Sequence, residues 1–135
     1  MIVDIGQGIK TNLETISDLR RVYAPDETPD SVNEFPAAAI RHTGTDYQQT
    51  MGGAATHEFT ITVFVTNQDS PSAFTRLLPF LEPSGDSSIV AALQADTTFD
   101  GSADDMTVVS NTGQSIISWA GLQYLGTDFT IEVWE

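Results

Sequence analysis

Histidine titrates nearest neutrality of all side chains, and this chain has two, His42 and His57. They flank the sixteen-residue polar stretch 42–57. If the flanking segments pair as a hairpin, the two imidazoles meet. Two imidazoles with no third ligand at recognisable spacing make a poor zinc site, so solvated or interface histidines are expected and no metal is assigned. The run Asp100-Gly101-Ser102-Ala103-Asp104-Asp105 invites a calcium reading. It lacks the D-x-[DN]-x-[DN]-G loop and its distal glutamate, and reads instead as a turn before a strand. Gly6-Gln7-Gly8 follows no strand and opens no phosphate loop. No Gly-x-Ser-x-Gly motif occurs, and residues 110–113 offer no nucleophile elbow. Asp104-Asp105 could serve as acid and base, yet nineteen acids generate adjacent pairs without any purpose. Trp119, Tyr124 and Trp134 fall in predicted strands and read as core or subunit contacts. No catalytic residue and no cofactor is assigned, and an enzyme is not expected.

The elements that carry these residues follow from apolar spacing. Ile2, Ile5, Ile9, Leu13, Ile16, Leu19 and Val22 recur every three or four positions, predicting one helix of about six turns. Asp4 with Gln7 suits a capping box, and Arg20 and Arg21 suit the negative end of the macrodipole. Gly6 and Gly8 weaken its first turn. Residues 23–36 read as a loop punctuated by Pro25, Pro29 and Pro36. Residues 37–41 are a short strand candidate. Residues 58–66 are clearer, since Phe59, Ile61, Val63 and Val65 alternate with polar neighbours. Phe64 interrupts the polar side, predicting that a helix or a neighbouring subunit covers that face.

Between these strands, residues 42–57 read as a long loop with three glycines, the sort that is functional or disordered when free. Tyr47 and Met51 within it are an aromatic anchor and an adaptable thioether. Ser70-Pro71 starts a helix bearing Phe74, Leu77, Leu78 and Leu81, which kinks or ends near Pro79. Ser87 or Ser88 caps a shorter helix with Ile89, Ala92 and Leu93. Strands are predicted at 106–110, 115–119 and 129–134. The fold class is therefore α+β: a mixed, mainly antiparallel sheet with an N-terminal helix and two further helices packed on it, in one domain over 1–135.

Composition sets the outer bounds. Leu, Ile, Val and Phe make up 34 of 135 residues, enough for a real core, and no cysteine is present. No membrane-spanning run or export signal is visible, so an aqueous home is expected. Nineteen acids against five bases give a net charge of −14. A broad nucleic-acid-binding face is excluded, since such a surface repels phosphates. The acids are scattered from Asp4 to Asp128, which fits whole-surface adaptation to high salt better than one acidic partner patch.

The order of features carries a resemblance. Leu19-Arg20-Arg21-Val22-Tyr23 precedes Val32-Asn33-Glu34-Phe35-Pro36-Ala37-Ala38 and a lone Tyr47. Then come Phe59-Thr60-Ile61-Thr62-Val63-Phe64-Val65, Leu77-Leu78-Pro79-Phe80-Leu81 and Gly85-Asp86-Ser87-Ser88-Ile89-Val90-Ala91-Ala92-Leu93. Thr98-Phe99-Asp100-Gly101 and Gly121-Leu122-Gln123-Tyr124-Leu125-Gly126 follow. Over essentially the whole chain this resembles the tail-completion proteins of long-tailed viruses, of the lambda-type tail-terminator kind. The resemblance implies a mixed α/β subunit of a homo-oligomeric ring, six-membered in the family. Such a ring ends polymerisation of the tail tube protein and receives the head-tail connector proteins. It sits at the head-proximal end of the virion tail after assembly in the host cytoplasm, with no catalytic residue. Terminators are not usually so acidic, and with a single lysine this suggests a tailed virus of salt-loving archaea. The interface candidates are Tyr47, Met51, Phe64, His42 and His57. Alternatives are a head-tail connector or head-completion protein of the same neck and an acidic nucleic-acid-mimicking inhibitor or binding module, although a mimic would gather its acids on one face.

Overall fold

The computed structural model describes residues 2–28, 32–47, 55–66, 75–99, 101 and 103–134. In chain order these form helix α1 (Ile2–Leu13), strand β1 (Arg21–Tyr23), a 3-10 turn (Pro25–Glu27), β2 (Ala37–Asp46) and β3 (Thr56–Thr66). They continue with helices α2 (Leu78–Leu81) and α3 (Ile89–Gln94), then β4 (Asp105–Asn111), β5 (Ser115–Trp119) and β6 (Leu122–Trp134). The architecture is α+β, with a six-stranded, mainly antiparallel sheet and an N-terminal helix.

The thirteen-residue β6 organises the sheet. One side of it pairs with β3 from Leu125 to Trp134. Its other side pairs with β5 over its first part and with β4 over its last. The order runs β1-β2-β3-β6-β4, with β5 beside β6 and β1 parallel to β2. Alternation decides the faces: Phe59, Ile61, Val63, Phe129, Ile131 and Val133 all enter the main core. The helices supply the other half of that core through Ile5, Ile9 and Leu13 of α1 and Ile89 and Leu93 of α3. Ala120 and Gly121, both at positive φ, join Trp119 to Leu122 in the two-residue turn that suits a twisted hairpin.

Two glycines that look like helix weakeners have a packing reason. A Cβ on Gly6 would strike the Pro25 ring, 2.7 Å from its Cδ, and one on Gly8 would overlap the Cβ of Phe99. Bare backbone lets the 3-10 turn and the segment after α3 lie directly on α1. Side chains fasten the first of these contacts. Lys10 Nζ donates to Glu27 Oε1 at 2.7 Å and Gln7 Nε2 donates to Asp26 Oδ1 at 3.3 Å.

Several expectations need correction. The apolar stripe from Ile2 to Val22 is real, but the helix stops at Leu13. Ile16 and Leu19 continue into the same core through turns, and Val22 does so from β1. Periodicity reports one buried side, and a turn-rich chain hugging the core produces it as well as a helix does. Arg20 and Arg21 therefore do not cap a helix, and Arg21 opens the edge strand β1. Asp4 lies inside α1, two residues past its start, and so is not the N-cap that a capping box with Gln7 needs, while Gln7 reaches Asp26. The helix does end near Pro79, at Leu81, but Pro79 lies in the first turn of α2, where a missing N–H costs no bond. The proposed start at Ser70-Pro71, with Phe74, lies outside the described residues. Ser88 is the N-cap of α3, its hydroxyl accepting from Ala91 N at 3.0 Å.

Candidate interaction site

Much of the stretch predicted as a loop is strand. β2 runs on to Asp46 and β3 begins at Thr56, so His42 and His57 sit inside a paired arm. A register shift between His42 and Gly44 places His42 opposite Phe59 and Thr45 opposite His57. That shift brings the two rings to 5.7 Å, edge to face. Thr45 Oγ1 lies between them, 2.7 Å from His42 Nε2 and 2.8 Å from His57 Nδ1. One hydroxyl has one proton, so it donates to one imidazole and accepts an N–H from the other. His42 also packs edge-on against Phe59 at 5.3 Å, and His57 is only 4% exposed. The two histidines do meet as the hairpin reading foresaw. Their facing nitrogens are bound to a threonine, and among the described residues no group of three metal-ligating side chains forms.

Beyond β2, Tyr47 is 72% exposed, the most exposed of the large hydrophobic side chains described. Met51 lies outside the described residues. Beside this end of the arm a cleft is lined by Asp46, Glu58, Glu132 and Trp134, with Glu58 directly opposite Glu132 across the β3–β6 ladder. Like charges so placed repel.

Phe64 is not available as a contact. The chain itself covers it, leaving none of it exposed, and neither a helix nor a second subunit is needed. Trp119 and Tyr124 meet its ring at 5.4 and 5.0 Å, and Val32, Ala37, Ala39 and Ile117 complete a second core on the far side of the sheet. Val32 N donates to the Tyr124 hydroxyl at 3.0 Å, and Phe35 lies 5.9 Å from the Tyr124 ring. Sequence alternation flags Phe64 as anomalous but does not say that β5 folds back with Trp119 to bury it.

One feature escaped sequence reasoning altogether. Four of the five basic residues line two adjoining clefts that share Arg20. One holds Lys10, Arg20 and Arg21 beside Glu14. The other holds Arg20 and Arg76 together with Phe35, Pro36 and Pro79, beside Asp18, whose carboxylate accepts from the Ser87 hydroxyl. Only the scarcity of bases could have prompted the question, because Arg20 and Arg76 are far apart in the chain. Lys10 is engaged: its ammonium, followed by the Ala24 amide, holds the Glu27 carboxyl below its ordinary range. The fifth base, Arg41, stacks over Trp119 at 5.1 Å.

No protein-family model matches this chain, and no curated protein matches it.

Proposed function

We propose that this protein is a structural subunit of a virion, a tail terminator whose ring ends the growth of the tail tube and receives the head connector. Tyr47 carries the reading from the structural side: a 72% exposed aromatic at the end of a two-stranded arm. Large aromatics held out on paired strands are the residues that anchor protein contacts. The ordered series of sequence features from Leu19 to Gly126 supports the same reading, as does an α+β fold of the class that the resemblance implies.

The test uses purified protein with assembling tail tubes, followed by electron microscopy of tail length and by light scattering in molar salt. The wild type forms a closed ring and yields tails of uniform length. Tyr47→Ala keeps the wild-type unfolding transition, because its side chain is outside both cores, and yields irregular, overlong tails. A strict monomer at high concentration, in molar salt and with tubes present, removes the ring. Uniform tails from Tyr47→Ala remove the arm from the mechanism.

A further inference from the structure

We infer that the arginine-lined clefts beside β1 are a docking surface for a second copy of this chain, which presents the acidic β4 edge of its sheet. The inference rests on the ring reading for its head-to-tail geometry. Its charge argument stands by itself.

Two copies of a protein carrying −14 repel wherever they approach, except where the charge is locally cancelled. Around β1, Lys10, Arg20, Arg21 and Arg76 face Glu14, Asp18 and Glu27, and no other part of the described chain gathers so many bases. Glu27 is taken up by Lys10, and the Asp18 carboxylate receives the Ser87 hydroxyl. Arg20, Arg21 and Arg76 are exposed, and among the described residues none of the three makes an ion pair. Phe35, Pro36, Pro79 and Phe80 line the same cleft as Arg20 and Arg76, so the cleft offers apolar contact beside its charges.

The complementary surface is at the other end of the sheet. In the order β1-β2-β3-β6-β4, strands β1 and β4 are opposite edges. Asp104 and Asp105 stand exposed at the start of β4, and Val109, 52% exposed, lies at its register shift between Val108 and Ser110. Two acids with an exposed aliphatic match a cleft that mixes arginines with apolar rings. Joining one edge to the opposite edge of the next copy is a heterologous contact, the kind that closes into a ring when the rotation fits. The short, arginine-bearing β1 also discourages indiscriminate strand pairing, which leaves charge to select the partner.

Charge exchange tests this in the full chain. Sedimentation velocity at about 0.15 M salt, where the screening length is about 8 Å, measures assembly. Arg20→Glu with Arg76→Glu lowers the association constant at least about tenfold, and Asp104→Arg with Asp105→Arg does the same. Mixing the two variants restores a complex within about threefold of wild type, because each then presents a matched face to the other. Arg41→Glu, away from both clefts, leaves assembly unchanged. Circular dichroism melts of each variant establish that it folds. If the wild type assembles and the reversed variants assemble equally well, or the mixture fails to recover, this interface is wrong while the ring stands. A wild type that stays monomeric with tubes present removes both.

Discussion

Gly126 shows most directly how one residue is dictated by the fold. It lies on β6 opposite Phe64, where the β3 ladder shifts register, and a Cβ there would collide with the Val63 carbonyl oxygen. The obstacle is backbone, which no rotamer change relieves. Gly126→Ala therefore destabilises by at least about 2 kcal/mol in urea unfolding, with strand β3 displaced rather than a side chain repacked. Phe64, its neighbour across the ladder, tests the second core. As a fully buried ring against Trp119 and Tyr124, its truncation to alanine costs about 3–5 kcal/mol even for the isolated monomer. A loss confined to the assembled state, with monomer stability intact, would return Phe64 to the list of subunit contacts.

At the scale of elements, short helices persist because end contacts replace length. The six-residue α3 is too short to hold itself, yet Ser88 supplies both a cap and an anchor. Its hydroxyl accepts from Ala91 N and donates to the Glu82 carbonyl at 2.5 Å. Ser88→Ala removes both bonds in a buried setting and lowers stability by about 1–2 kcal/mol in thermal or urea unfolding, whereas Ser88→Thr retains most of it. The arm built from β2 and β3 shows the opposite case, in which polar residues hold strands together. His42, Thr45 and His57 form a bridge that alternation cannot reveal, because it depends on the register shift at Thr43. This is why the segment reads as a loop in sequence: threonine, glycine and histidine lack the apolar alternation that announces a strand.

For the whole molecule, charge governs behaviour. Nineteen acids face five bases, Glu58 opposes Glu132, and Asp104 adjoins Asp105. The Lys10–Glu27 pair is partly exposed and adds little to offset this. Screening removes more repulsion than attraction, so the melting midpoint rises from low salt into the molar range. A scanning calorimetry series across salt concentrations checks it, and a flat or falling midpoint would reject adaptation to high salt. The proposed ring has two salt regimes for the same reason. Long-range repulsion fades first, while contacts between arginines and carboxylates at a closed edge are screened less.

The chain's sequence alone determined most of the apolar residues of the main core, because that burial follows from apolar side chains repeating at fixed spacing. Ile5, Ile9 and Leu13, the alternating Phe59 to Val65, and Phe129 to Val133 are all found in the main core. It also determined β5 at Ser115–Trp119 and narrowed the cap of α3 to Ser87 or Ser88, since turn glycines and capping hydroxyls act over a few residues. Tertiary structure decided the rest, where the deciding partner is distant in the chain. Helix α1 ends at Leu13 although the apolar stripe runs on, because the following turns reach the same core without a helix. Phe64 is covered by Trp119 and Tyr124, roughly sixty residues away, and Gly6 and Gly8 answer to Pro25 and Phe99. The grouping of Arg20 with Arg76 exists only once α2 stands beside Phe35 and Pro36. Local chemistry is written in neighbouring residues. A surface is written only when the sheet has closed.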